Sequence, residues 1–185
     1  WLAGSVRQPV SGASPARGGP RRHARSRVPP EWRPWLFDQG SLTARLVAKS
    51  GGDFRVQVLA QRWAPPTARE SRALGLGLRQ RALIREVLLR GRGQPWVHAR
   101  SVLPLALLRG RYRFLAHLGE RPLGALLFRD PRLQRGPIEV AKCPVPPLPE
   151  LRGSTGVGAW QRRSLFYLGG QPLLVAEMFL PGFQP

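Results

Sequence analysis

Ser164-Leu165-Phe166-Tyr167-Leu168-Gly169-Gly170-Gln171-Pro172-Leu173-Leu174-Val175-Ala176-Glu177-Met178-Phe179-Leu180 is the stretch that decides the fold. Gly169-Gly170 separates two apolar runs, and both glycines tolerate the positive φ that a two-residue hairpin turn requires. The stretch therefore predicts an antiparallel pair, 164–168 against 172–180. Glu177 is the only acidic residue after Glu150, and no other polar side chain stands between Leu173 and Leu180. Its carboxylate is expected to be buried, where a charge must be paired, neutralised by a raised pKa, or used. Two readings stay open: structural glue with a neighbouring arginine, or a functional acid.

Outward from this hairpin the same period-two signal recurs. Phe54, Val56, Val58 and Ala60 alternate with Arg55 and Gln57, predicting a strand to about Trp63 that Pro65-Pro66 ends. Leu83 to Arg90 and Trp96 to Leu103 read as a second antiparallel pair joined by Gly91-Arg92-Gly93-Gln94-Pro95, and Ile138-Glu139-Val140 as a short strand. In the first of that pair, Arg85 shares the apolar face of Leu83, Val87 and Leu89, a second candidate buried charge, opposite in sign to Glu177. Trp32, Trp35, Leu36, Leu42 and Leu46 predict one or two short helices over 31–49, broken near Gly40, with Ser41 as a cap. Leu105 to Leu118 and Leu123 to Phe128 read as short helices with Gly119 between them, and 144–158 as a Pro- and Gly-rich loop. Six strands in short hairpins beside a few helices predict a single α+β domain built on an antiparallel sheet.

The 185 residues fit one domain, assigned to 31–185, preceded by a basic tail at 1–30 that carries six arginines and no acid and is expected to be disordered. The net charge of +20 suggests an anionic partner, but only Lys49 and Lys142 are lysine and the arginines are scattered without a dense run in the folded part. A specific nucleic-acid function is therefore not expected, although the field favours any anionic small molecule. Cys143 is the single cysteine, and His23, His98 and His117 have no metal-ligand spacing, so neither an internal disulfide nor a metal site is expected. No apolar run reaches the roughly 18 residues a membrane helix needs. The expectation is a monomer in the cytoplasm without stable membrane insertion.

P-loop, dinucleotide, nucleophile-elbow and H-E-x-x-H motifs are all missing. Four segments instead resemble a known family: Leu83-Ile84-Arg85-Glu86-Val87-Leu88-Leu89; Gly93-Gln94-Pro95-Trp96 with Arg100 and Pro104; Leu118-Gly119-Glu120-Arg121-Pro122-Leu123-Gly124; and Trp160-Gln161-Arg162-Arg163-Ser164 through Pro172–Pro181. Together, in register over about 35–181, they are similar to chorismate pyruvate-lyase, which makes 4-hydroxybenzoate for ubiquinone.

The resemblance implies a cofactor-independent lyase that takes chorismate to 4-hydroxybenzoate and pyruvate. It also implies the site: Arg85 holds the ring carboxylate, Glu177 contacts the ring hydroxyl, and Leu42 and Leu123 complete the product site. Leu42 stands where the best-known members carry methionine, a change of little consequence if that contact is made through backbone. Arg100, Arg162 and Arg163 are candidates for the second carboxylate of chorismate. Arg85 in a permanent ion pair with Glu177 or Glu86 is the structural alternative. Because related folds serve as effector-binding domains of transcription regulators, a non-catalytic sensor of aromatic carboxylates is the functional alternative, and the Pro and Gly content of 1–30 argues against a DNA-binding helix pair there.

Overall fold

The structure is a computed structural model and describes residues 25–77, 79–151 and 158–185. Seven strands form one antiparallel sheet: β1 (Phe54–Ala64), β2 (Ala82–Gly91), β3 (Gln94–Pro104), β4 (Gln134–Arg135), β5 (Glu139–Pro144), β6 (Gly158–Leu168) and β7 (Gln171–Phe179). Their order is β1-β2-β3-β7-β6, with the two-residue β4 and then β5 pairing with the outer side of β6. The four helices are α1 (Arg33–Leu36), α2 (Leu42–Ser50), α3 (Ala68–Leu74) and α4 (Leu123–Leu127).

The Gly169-Gly170 turn adopts φ of 55° and 79°, as its sequence predicts, and pairs Leu168 directly with Gln171. The β2–β3 turn is tighter than its five-residue signal suggests. Arg92 and Gly93 alone make it, Arg92 in the left-handed region at φ 52°, and a bulge between Leu89 and Arg90 then shifts the register by one residue. The reading of 105–118 as a helix is corrected: a turn is followed by a 3-10 helix at Gly110–His117. Leu, Ala and Arg there favour a helix by propensity, but Gly110 takes the left-handed conformation at φ 72° and so separates the turn after Pro104 from the helix that follows. α3 has no apolar periodicity long enough to announce it. Its signature is the capping box, in which Thr67 Oγ1 accepts from Glu70 N while Glu70 accepts from Thr67 N.

Of the stretch assigned to a tail, positions 1–24 lie outside the described residues. Arg25–Arg27 form a 3-10 turn and Val28 is buried among Trp35, Leu36 and Phe183. Part of the 144–158 loop, at 152–157, also lies outside the described residues.

Alternation along the strands gives the sheet two unlike faces. On the first, α1 and α2 pack with Val56, Val87, Leu89 and Phe179, while the Gly110–His117 helix and α4 cover Leu103, Phe166 and Val175. On the second, α3 lays Leu74 against Ile84, Val102 and Leu174. The seam between the two apolar clusters of the first face is where the charges converge.

Candidate active site

Cross-strand register places the site before any side chain is considered. Arg85, Ser101, Val175 and Ser164 form one row across β2, β3, β7 and β6; two residues further along, Val87, Ala99, Glu177 and Arg162 form the next. All eight point to the first face. Arg85 and Glu177 thus lie two strands and two residues apart, roughly 12 Å between Cα atoms from strand spacing and rise. A narrow cavity of about 40 Å3 lies between them. Leu42 and Thr43 of α2 and Leu123 and Gly124 of α4 close it, over a floor that includes Ser101 and Val175.

All four residues assigned from the resemblance, Leu42, Arg85, Leu123 and Glu177, line this one cavity. Leu42 and Leu123 each occupy the first position of a helix, which presents backbone N–H groups without an intrahelical acceptor. The two helices meet across the cavity at Gly124. A Cβ there would stand 2.8 Å from Thr43 Oγ1, so any larger residue would force the Thr43 side chain to move.

Arg85 is 2% exposed and pairs with no carboxylate among the described residues. Its Nη1 donates to Gln61 Oε1 at 3.1 Å, and its Nη2 donates to the carbonyls of Gly119 at 2.8 Å and Arg121 at 3.3 Å. Burial pushes its guanidinium below the ordinary arginine value. The structural alternative for Arg85, an ion pair with Glu177 or Glu86, is therefore not formed. A cation held by neutral oxygens in a closed cavity is an electrostatic invitation to an anion.

Glu177 is less buried than its surroundings in sequence suggest, with 15% of its side chain exposed, because its carboxylate faces the cavity and not the apolar packing. It does have an arginine partner. Arg162 Nε donates to Glu177 Oε2 at 2.6 Å, and Arg162, itself 2% exposed, also donates through Nη1 to the carbonyls of Trp35 at 2.9 Å and Asp38 at 3.2 Å. Register reveals this pair to a reader of the sequence, since counting back from the Gly169-Gly170 turn sets Arg162 opposite Glu177. The other two candidates for a second carboxylate are occupied elsewhere: Arg100 by Glu70 and Glu86 on the second face, Arg163 by Glu139 at 2.5 Å.

Arg135 escapes the sequence reading altogether. It arises from the two-residue β4, and its Nε donates to Ser164 Oγ at 3.1 Å while Nη1 donates to the carbonyls of Asp38 at 3.1 Å and Gly40 at 3.3 Å. Nothing in the local pattern around Gln134-Arg135-Gly136 marks it.

Other depressions lack this convergence. Two open clefts of about 420 and 470 Å3 lie beside α3 and β5, where Arg163 is already paired with Glu139, and a third beside Trp63 and Leu105 is almost wholly apolar. Among the described residues no three His, Cys, Asp or Glu side chains gather to hold a metal, and no helix is long and apolar enough to cross a membrane.

Residues 22–184 match the family model for chorismate lyase. Among curated proteins, the chain is 48% identical over 150 residues to a probable chorismate pyruvate-lyase of Methylococcus capsulatus, covering 80% of this chain and 93% of that one. It is 46% identical over 157 residues to a protein of the same description from Pseudomonas aeruginosa, covering 84% and 86%. Solved structures share the fold at low identity. The ligand-binding domain of a GntR-family regulator from Bordetella bronchiseptica aligns with a TM-score of 0.54 at 21% identity, over 71% of this chain and 86% of that one. The effector domain of PhnF from Mycobacterium smegmatis aligns with a TM-score of 0.55 at 18% identity, over 78% and 90%.

Proposed function

The chain belongs to the chorismate lyase family, and from that premise we propose that it removes the enolpyruvyl group of chorismate, releasing 4-hydroxybenzoate and pyruvate for ubiquinone synthesis. The observation that carries this reading is the pairing of a buried arginine without a carboxylate partner among the described residues, Arg85, with a cavity-facing carboxylate, Glu177, across a narrow, mostly apolar slot. A para-substituted ring with a carboxylate at one end and a hydroxyl at the other matches that arrangement of one cation and one acceptor. The ring carboxylate takes the N–H donors of Arg85 that Gln61 and the two carbonyls leave over. The hydroxyl on ring carbon 4 donates to Glu177, whose second oxygen is steadied by Arg162. Backbone amides at Leu42 and Leu123 complete the cradle.

In the reaction the bond from ring carbon 3 to the ether oxygen breaks, carbon 4 loses its hydrogen as a proton, and the ring becomes aromatic. The departing enolpyruvate takes up a proton at its methylene carbon and becomes pyruvate, so no oxidant, reductant or cofactor enters the balance. Aromatisation supplies the driving force, and the protein contributes positioning and electrostatic stabilisation as negative charge gathers on the leaving oxygen. The 40 Å3 cavity is far smaller than the several hundred Å3 of an open ligand site. Chorismate is therefore admitted by movement of α2 or α4, and product leaves the same way, which makes release a candidate rate-limiting step.

The regulator domains share only the fold, and this chain couples it to an Arg85–Glu177 cavity with its family's activity; an effector-sensing role is the second reading. The deciding experiment is pyruvate and 4-hydroxybenzoate release from chorismate by the purified protein with chelator present. Stoichiometric release of both, lowered about 100-fold or more in Glu177→Ala, is the expected result. Tight 4-hydroxybenzoate binding with no turnover by the wild type would favour the sensor.

A further inference from the structure

Arg135 stands beside the acid end of the cavity with no carboxylate in hydrogen-bond contact among the described residues. Its guanidinium lies 5.0 Å from the ring centroid of Phe166, a cavity-lining residue, and shares the Asp38 carbonyl oxygen with Arg162, at 3.1 and 3.2 Å respectively. The two cations are thus side by side. Among the described residues one carboxylate, Glu177, contacts the pair, and Arg162 takes it. Every hydrogen-bond acceptor that Arg135 meets among the described residues is neutral: two carbonyls and the Ser164 hydroxyl, reached through Nε and Nη1, with Nη2 not engaged. Burial, and after it the repulsion of Arg162, push its guanidinium down to about 10, against partial relief from Glu177 and Asp38. An arginine in that state gains more from a desolvated anion than a solvated or already paired one does.

The chemistry of the substrate supplies such an anion at this end and nowhere else. With the ring carboxylate on Arg85 and the carbon-4 hydroxyl on Glu177, the enolpyruvyl ether on adjacent carbon 3 brings its own carboxylate next to the Glu177–Arg162 pair. We propose that Arg135 binds the enolpyruvyl carboxylate of chorismate, and so distinguishes substrate from product. This rests on the lyase reading and extends it. The product has lost that carboxylate, so Arg135 contributes to holding chorismate and not to holding 4-hydroxybenzoate. Since Arg135 and Arg162 also hold the carbonyls of Asp38 and Gly40, just before α2, the same residue ties substrate charge to the segment that closes the cavity.

The test compares a dianion with a neutral isostere. Binding of 3-(carboxymethoxy)-4-hydroxybenzoate, of its side-chain amide, and of 4-hydroxybenzoate is measured by calorimetry on wild type, Arg135→Gln and Arg135→Lys, alongside chorismate kinetics. Wild type is expected to prefer the dianion over the amide by about 30-fold. Arg135→Gln is expected to lose that preference and to raise KM for chorismate by a similar factor, with 4-hydroxybenzoate affinity unchanged within about 3-fold. Arg135→Lys restores part of both and serves if the glutamine variant does not fold. Equal loss of dianion, amide and product binding would reduce Arg135 to a structural support, and a wild type indifferent to the second carboxylate would overturn the proposal outright. If wild type prefers the dianion yet releases no pyruvate from chorismate, the lyase reading fails while the anion site stands.

Discussion

The two faces of the sheet carry the same residue types on the same strands and treat them in opposite ways. On the second face, Arg100 of β3 donates to Glu70 of α3 at 2.7 Å and to Glu86 of β2, a triad in which every charge has a partner. The hydrogen bond to Glu70, outweighing burial, raises the Arg100 guanidinium above its ordinary value. On the first face, Arg85 is one residue from Glu86 in sequence and has no carboxylate partner among the described residues, and burial lowers it. Local composition does not distinguish the two arginines. What differs is whether the charge balance is closed within the protein or left for something that arrives. The closed triad reads as structure and the open pair as a ligand site.

That contrast is broken most directly by exchanging the consequences. Arg85→Ala is expected to weaken 4-hydroxybenzoate binding by about 3 kcal/mol, roughly 100-fold, while shifting the melting temperature little; calorimetric titration and thermal melts read the two. Unchanged product affinity would remove Arg85 from the site. Arg100→Ala is expected to do the reverse in stability, costing about 2–3 kcal/mol because Glu70 and Glu86 are left partly buried without their cation. Urea denaturation measures it, and a loss smaller than that of Arg85→Ala would erase the distinction between the faces.

Acid sharpens the comparison further. Burial alone raises the Glu70 carboxyl, but its hydrogen bonds with Arg100 and the Thr67 amide leave it below its ordinary 4.5. Stability from this lowered carboxyl is therefore present above about pH 4.5 and is lost as pH falls through the folded value. Glu70→Gln should be less stable at neutral pH by about 1 kcal/mol and lose less on acidification; parallel pH–denaturation curves for the two proteins would contradict it. The smallest effect concerns His98, also on the second face, whose buried Nε2 has no hydrogen-bond partner among the described residues. Burial lowers its imidazole below 6.5, with Glu86 pulling up and Arg100 pushing down. Below pH 6.5 the unfolded chain takes a proton that the native state resists, so stability falls with pH toward the folded value. His98→Leu should flatten that segment by up to about 1 kcal/mol, seen in melts between pH 6.5 and 5.5.

Much of this was legible in the residues. Strand positions followed from alternation, the β6–β7 turn from two adjacent glycines, and the Ser41 cap and the break before Leu42 from local chemistry. Arg85 and Glu177 stood out because each is a charge in an apolar run. α3 was missed although Thr67 and Glu70 spell its capping box, because seven residues hold too little periodicity to be noticed. Arg135 was out of reach, since a two-residue strand has no period and its role comes from the Asp38 and Gly40 carbonyls nearly a hundred residues away in the chain.

By itself, then, the sequence determined most of the strands, the hairpin that sets Arg162 across from Glu177, and the presence of two charges set in apolar runs, because these follow from nearest-neighbour backbone preferences and the cost of burying charge. Tertiary structure decided which charges meet. The bulge between Leu89 and Arg90 is the clearest instance: counted straight from the Arg92-Gly93 turn, Arg85 would face Arg100, but the extra residue sets Arg85 opposite Ser101 and Arg100 opposite Glu86. Side-chain direction alternates with every residue of a strand, so a one-residue shift sends a cation to the other face. That shift gives Arg100 its carboxylates and leaves Arg85 facing the cavity with no carboxylate partner among the described residues.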